Sequence, residues 1–323
     1  MKFLIGLART LFEYLSFPHN LRREKLSNHQ IKIINEINTM LNYKEDENSN
    51  NKLKTHILFS KTVDTLIKEK KLDNFLRQGF IQKMFFVHNR LYNVFFLRDI
   101  LNSKSNLFIK LLEENSIGNP VPFFLYKKSS GNRIRHLFLL KKIFDYGQIT
   151  DVDAVIEIGG GYGCMAKIFQ EINQDVDYTI FDLPEINLLQ YYYLKSNYIN
   201  FKIDQKGSDK ILTSKIDLLN AKIDFLKNTG KKIMVIANWS ISEMPLKLRD
   251  KLIFLFENCD YGIISYQSEF ENISNNQYFH NLKEKLSNKF ILKLNDINAM
   301  NSFFNSNTHH TLLIKRENKK TNV

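Results

Sequence analysis

Residues Val155 to Met165 read VIEIGGGYGCM, with Gly159, Gly160, Gly161 and Gly163 inside one short turn. Glycine loses more backbone freedom on folding than any other residue, so such a cluster answers a demand that side chains cannot meet. Either the backbone turns through conformations closed to them, or a ligand lies against it. A β-rich run, Ala154–Gly159, precedes the turn, and a helix-length segment, Gly163–Ile172, follows it. The rhythm then repeats, with strands expected at Tyr178–Leu183, Asn200–Asp204, Ile233–Asn238, Tyr261–Tyr266, Phe290–Leu294 and Thr311–Lys315, and a helix at Leu246–Asn258. Short strands alternating with helical segments predict a doubly wound α/β fold. The last two strands have no clear helix between them, which suits an antiparallel closing hairpin.

The first 150 residues read differently. They are helical in pattern, with apolar residues at helical spacing through Leu66, Phe75, Leu76, Phe80, Met84, Leu91 and Phe95. A polar break is expected at Lys44 to Lys52, and SIGNPVP punctuates the chain at Ser116 to Pro122. The division expected is therefore a helical region, 1–150, and an α/β domain, 151–323. Charge follows it: of the net +12, all lies in residues 1–150, and residues 151–323 balance to zero. An anionic partner near the first region is the expectation.

Two cysteines, Cys164 and Cys259, provide no disulfide framework and no zinc spacing, which fits a reducing, cytoplasmic setting. The opening MKFLIGLARTLFEYLSFPHNLRRE has an apolar run that stops at Arg9 with no small-residue cleavage site after it, so it reads as neither signal peptide nor span. Leu4, Leu7, Ala8, Leu11, Phe12 and Leu15 share a helix face. That face either touches a membrane surface or packs on the rest of the protein.

Two ligand classes compete for the glycine turn. The dinucleotide fingerprint G-x-G-x-x-G/A meets Cys164 at its third small position, whereas Glu157-x-Gly159-x-Gly161-x-Gly163 is an acid followed by alternating glycines. A ribose site needs a carboxylate at the end of the second strand, and YTIFDLPEI puts Asp182 there. Asp182 also suits a cap for a helix beginning near Pro184.

EIGGGYG followed by FDLPEI resembles the paired motifs of class I S-adenosylmethionine-dependent O-methyltransferases. With SIGNP upstream, FDLPEINLLQYYYL and NWSISEM, the chain looks most like the sugar O-methyltransferases of bacterial surface-polysaccharide loci. The resemblance to the superfamily covers roughly Asp151 to Lys315, and the sugar assignment rests on fewer pieces. It implies a Rossmann-like, mostly parallel sheet with an antiparallel last strand, S-adenosylmethionine as cofactor and S-adenosylhomocysteine as product. It also implies that Glu157 faces the methionine amino group, that Gly159, Gly160, Gly161 and Gly163 line the cofactor, and that Asp182 holds the ribose. Leu183, Asp204 at the end of the third strand and Asn238 complete the cofactor set. Tyr162 and Trp239 are expected to face substrate.

The sequence departs from plant-type relatives where a catalytic histidine precedes Asp-Trp-Ser: here Ala237 stands before Asn238-Trp239-Ser240. The base for a hydroxyl acceptor is therefore sought elsewhere. Glu243 stands just beyond the fourth strand, with a helix expected to start near Ser242; helix capping is its structural alternative. His309 and His310 precede the last strand, and alternation points them to opposite faces; one of them is a candidate base, and for either the structural alternative is a surface histidine beside a strand. The asparagine-rich NDINAMNSFFNSNT is either a sugar contact or a polar connection. Arg133, Arg135 and His136, with Lys127 and Lys128, form either a phosphate-binding cluster or a solvated helix face. No carboxylate and histidine spacing demands a metal.

The expected partner is a sugar or sugar conjugate, anionic through a diphosphate or phosphorylated lipid, with homo-oligomerisation left open. Competing readings are an RNA methyltransferase, prompted by the charge, and a non-catalytic methyltransferase-like interaction module. Against the first stand NWSI in place of the Asn-Pro-Pro-Tyr of base-amine enzymes and the lack of a recognisable RNA-binding module.

Overall fold

The computed structural model describes residues 25–41, 54–68, 71–85, 90–304 and 308–317. The apolar face at Leu4 to Leu15 and the polar break at Lys44 to Lys52 lie outside the described residues. Helices α1 (Asn28–Leu41), α2 (Lys54–Lys68), α3 (Gly79–Met84), α4 (Asn93–Asn102) and α5 (Asn106–Lys110) come first, then a hairpin of β1 (Pro122–Phe123) and β2 (Tyr126–Ser130), then α6 (Gly131–Gly147). Next come β3 (Ala154–Ile158), α7 (Cys164–Ile172), β4 (Asp177–Phe181), α8 (Pro184–Ser196), β5 (Lys202–Ile203), β6 (Lys210–Thr213), α9 (Ile216–Asn228) and β7 (Ile233–Asn238). The chain closes with α10 (Leu246–Asn258), β8 (Tyr261–Gln267), β9 (Glu269–Phe270), β10 (Ile273–Ser274), α11 (Asn275–Leu286), β11 (Phe290–Asp296), α12 (Asn298–Phe304) and β12 (His309–Arg316). No helix among the described residues is long and apolar enough to cross a membrane.

The central sheet has eight strands in the order β11-β12-β8-β7-β3-β4-β6-β5. Pairings from β5 through β8 are parallel, whereas β12 runs antiparallel to both β8 and β11. This is the mostly parallel α/β sheet with antiparallel last strands that the rhythm predicts. Every residue of β3 and β4 is buried, as in a sheet covered on both faces. Ile156, Ile158, Val235, Ala237, Ile264 and Leu312 form the sheet side of a core completed by Leu219, Ile223, Leu252, Leu255 and Phe256 from α9 and α10. At the edges, β5 is two residues long and β11 is largely exposed and carries Lys293, both of which discourage pairing with another chain.

Two features differ from the sequence expectations. The strand beside β4 is β6, KILT, and the predicted third strand is only the short outer edge β5. Gly207 at positive φ turns the chain between them, and both run parallel. Helix α12 also interrupts the predicted simple hairpin between β11 and β12.

Two compact units divide the chain. The first holds residues up to Lys141 with Gly161–Ile172 and Pro184–Phe201; the second holds Lys142–Gly160, Asn173–Leu183 and the described residues from Lys202 on. The units interleave along the chain, in place of a single boundary at 150/151, because of α8. Its residues Ile186 to Leu194 are buried on every side, so it needs cover all round, and α1 and α2 pack against it. Within this unit Tyr191 and Lys195 of α8 both hydrogen-bond Glu36 of α1, at 3.0 and 2.9 Å.

Candidate active site

Strand order in the second unit reverses at β3: the chain proceeds outward through β4, β6 and β5, then returns to β7 on the other side. In open α/β sheets ligands bind outside the carboxyl ends of the strands at such a point. Two loops meet there. Gly159, after β3, has φ +70°, and a Cβ placed on it would stand 2.2 Å from Cβ of Ser240, after β7. The Ser240 hydroxyl donates to the carbonyl of Ile158, and the Gly159 amide donates to Phe181 O at 2.8 Å. Gly159 is therefore required twice, by its left-handed backbone and by the serine packed on it. Gly160 is buried beside it.

The rest of the turn belongs to the first unit. Gly161 and Gly163 have φ of +56° and +99°, and the Gly161 carbonyl accepts from the buried amide of Gln190 at 3.0 Å. Tyr162, expected to face substrate, is 1% exposed; its hydroxyl accepts from Asn132 at 3.0 Å and its ring meets Phe75 and Tyr193 edge-on. The expectation is corrected: a large ring between two positive-φ glycines has been turned into its own unit's core.

Two carboxylates end adjacent strands of the second unit. Glu157 on β3 is buried and accepts from the Tyr178 hydroxyl at 2.8 Å. Burial pushes its pKa up to about 8; the Tyr178 hydrogen bond opposes this and the charge of Asp182 adds to it. Asp182, half-buried after β4, accepts from the Leu183 amide through Oδ1 at 2.8 Å, and its own amide donates to Thr213 O. Asp204 lies at the end of the outer strand β5 with φ +52°, its carboxylate accepting from Thr213 Oγ1 at 2.7 Å and pairing with Lys215 at 3.2 Å.

The loop after β7 supplies the other groups. Asn238 accepts from Ser265 Oγ at 3.1 Å through Oδ1, and its buried Nδ2 has no partner among the described residues. Trp239 holds φ +64°, a conformation costly for a bulky residue, and its indole N–H donates to His309 Nδ1 at 3.3 Å. The helix expected to begin near Ser242 begins at Leu246, with Pro245 at its cap; Ile241–Glu243 form a separate 3₁₀ turn. Proline's fixed φ and missing N–H suit the start of α10 and not its interior. Glu243 is thus on the turn, half-buried. Gln267 Nε2 donates to it at 3.3 Å, and burial pushes its pKa up to about 7, with Glu271 adding to the rise and Gln267 and Arg249 opposing it.

Alternation separates the histidines as expected. His309 is on the Trp239 side, its backbone clasped by Asn301, so part of the asparagine-rich segment holds the strand in place. His310 meets Asp296 and Ser268 instead.

The upstream cluster is not an exposed anion site. Arg133 is fully buried, paired with Glu171 and donating to Leu111 O at 2.7 Å; Arg135 is 4% exposed and donates to Asn132 and Phe85 O. Burial, Arg135 and Arg133 push the His136 pKa down to about 3. These guanidinium forks tie first-unit segments together, and the register of α6 alone does not reveal that.

Several groups escape sequence reasoning. Arg249, 1% exposed, donates to Met244 O at 2.8 Å, Ser242 O at 2.7 Å and Asn275 Oδ1 at 2.6 Å, clamping the loop that carries Glu243. A signal was present: Arg249 shares the buried register of Leu252 and Phe256 on α10, where a charge is out of place unless paired. Gln267 joins the same network, accepting from Ser242 Oγ at 2.9 Å.

No protein-family model matches the chain. Over 174 residues it is 27% identical to ribosomal RNA small subunit methyltransferase A of Malacoplasma penetrans, a stretch that covers 53% of this chain and 54% of that protein. The chain thus spans about half the length of the curated relative it matches. Among solved structures, the methyltransferase domain of bacterial CtHen1 superposes with a TM-score of 0.39 at 12% identity, covering 56% of this chain and 97% of that one. An O-methyltransferase family protein from Burkholderia thailandensis gives 0.38 at 9% identity, covering 58% and 61%.

Proposed function

We propose that this chain is an S-adenosylmethionine-dependent O-methyltransferase acting on a sugar hydroxyl, carried on an anionic nucleotide- or lipid-linked conjugate for surface polysaccharide. The observation that carries this reading is the strand-end pair Glu157 and Asp182, coupled through charge and flanking a glycine turn at the point where strand order reverses. The residues fit the cofactor's polar ends. Glu157 is a buried carboxylate suited to an ammonium group, Asp182 suits a ribose diol, and the buried Asn238 Nδ2 is a donor awaiting an acceptor. When bound, S-adenosylmethionine supplies an electrophilic methyl on a sulfonium sulfur.

The remaining work falls to the protein. An alcohol oxygen must lose its proton as it becomes an ether, so a positioned base is needed. Glu243, with its pKa pushed up to about 7, accepts that proton near neutral pH. Gln267 and Arg249 hold its turn, and Trp239 and His309 wall the same strand end. The sugar acceptor rests on the resemblance of SIGNP, FDLPEINLLQYYYL and NWSISEM.

A second reading, RNA methylation, is favoured by the ribosomal RNA methyltransferase relative and by the +12 charge of the first 150 residues. Calorimetric titration with S-adenosylhomocysteine, on wild type and Asp182→Ala, tests the common premise. Micromolar binding lost in the variant supports it, and no binding by wild type refutes it. Filter binding to total RNA across a salt series then separates the acceptors, since steep salt-dependent binding supports RNA.

A further inference from the structure

His310 is bonded on both ring nitrogens. In the register of the antiparallel strands it pairs with Asp296 of β11 on one side and Tyr266 of β8 on the other. Its Nδ1 is 2.7 Å from Asp296 Oδ1, and its Nε2 is 2.9 Å from Ser268 Oγ. An ionised carboxylate only accepts, so Nδ1 carries the proton and Nε2, in the neutral ring, accepts from the serine hydroxyl. A hydroxyl on a base that is oriented by a carboxylate is the arrangement of an activated nucleophile, recognised by geometry and not by chain order.

The surroundings are those of a site. His310 and Asp296 line a cavity of about 490 Å³ together with Tyr266, Asn276, Gln277 and Lys283, a size that admits a small ligand, and Ser268, outside that lining, meets it through its contact with His310. Ser268 is half-buried, and its backbone is fixed from both sides. Its amide donates to Thr308 O at 2.7 Å, and its carbonyl accepts from the amides of Asn275 and Asn276 at 2.9 and 3.3 Å. Asn275 is buried and committed to Arg249 and Gln267 O. Asn276 lines the cavity, and it bonds Ser268 O through its backbone amide.

We infer that Ser268, His310 and Asp296 form a second catalytic centre, an acyl-ester hydrolase site for a short-chain acyl ester of a polar alcohol. Ser268 Oγ attacks the ester carbonyl carbon while its proton passes to His310 Nε2, and Asp296 steadies the imidazolium. The carbonyl carbon's bond to the alcohol oxygen breaks, and the alcohol leaves with that proton. Water then attacks the acyl-serine, giving one proton to His310, which returns it to Ser268 as the carboxylic acid departs. The amides and Lys283 of the lining favour a polar, anionic alcohol portion. The site shares no residue with the proposed methyl-transfer mechanism, in which Glu243 and not His310 is the base, and it needs no cofactor.

The test is labelling of the full chain with a fluorophosphonate, mapped by mass spectrometry, alongside hydrolysis of p-nitrophenyl acetate. A single adduct on Ser268 is expected, with hydrolysis falling by at least about a hundredfold in Ser268→Ala and in His310→Gln. No Ser268 adduct on protein with an intact circular dichroism spectrum, or hydrolysis unchanged in both variants, overturns the inference. Should Ser268→Ala fail to fold, Ser268→Cys provides a second reading. Its alkylation by iodoacetamide should be at least about tenfold faster than in Ser268→Cys/His310→Gln, because the neighbouring base raises the thiolate fraction; equal rates overturn the inference.

Discussion

Gly159→Ala is the substitution whose cost can be built from two separate observations. At φ +70° an L-residue pays about 1–2 kcal/mol for the left-handed conformation. The new Cβ would also stand 2.2 Å from Ser240 Cβ and 2.9 Å from its Oγ, and overpacking of this kind costs about 1–3 kcal/mol. The two together predict a loss of about 2–5 kcal/mol in unfolding free energy, measured by urea denaturation. Ser240→Gly removes the obstacle but also the hydroxyl that donates to Ile158 O, a loss of about 0.5–1.5 kcal/mol. The double variant should recover the steric part only, so a double-mutant cycle should show a favourable coupling of about 1–3 kcal/mol. Either of two results would refute the reasoning: a Gly159→Ala loss under about 1 kcal/mol, or additivity within about 0.5 kcal/mol. The second would mean that the glycine is retained for its φ or for a ligand and not for Ser240.

Methyl transfer should rise with pH through about 7, because Glu243 accepts a proton only when ionised; Glu243→Gln should lower kcat by about 10²–10⁴-fold and flatten that limb of the profile. Binding of S-adenosylhomocysteine at pH 7 should release close to one proton, as the ammonium group restores the charge of a Glu157 whose pKa is about 8. Calorimetric enthalpies that do not vary with buffer ionisation heat would contradict this. The same raised pKa makes Glu157 cost stability as pH rises from its ordinary carboxylate range through about 8, since the folded state keeps a proton that the unfolded state gives up. Glu157→Gln should therefore gain more on wild type at pH 8 than at pH 5 in urea midpoints. Arg249→Ala leaves Ser242 O, Met244 O and Asn275 Oδ1 short of a donor inside the protein and, at about 1–3 kcal/mol for each unsatisfied acceptor, should cost at least about 3 kcal/mol in urea unfolding.

Much of the architecture was legible in the sequence because it rests on local signals. Short, near-continuous apolar runs such as AVIEI and IMVIAN, bounded by turn residues, read as buried strands. Glycines at 159, 161 and 163 accept φ values that other residues resist, and Asp182 follows its strand wherever that strand packs. The spacing of acid and glycines likewise pointed to the proposed cofactor site without reference to any neighbour. Tertiary structure decided the rest. Nothing local tells KILT that it, and not the run ending at Asp204, sits beside β4, because both are short and β-prone and only pairing chooses between them. Arg133 and Arg135 read as a ligand cluster because charge is visible in a sequence while burial is not; Glu171 and the carbonyls that accept from them come from distant segments. The same holds for His310, an ordinary histidine at a strand start until the register of β11 and the turn after β8 bring Asp296 and Ser268 to its two nitrogens. Backbone conformation is dictated by neighbours in the chain and pairing and side-chain chemistry by neighbours in space, so the sequence alone determined most strand runs and the glycine turn, and only the fold determined which strands lie side by side and which charged groups are bound up inside it.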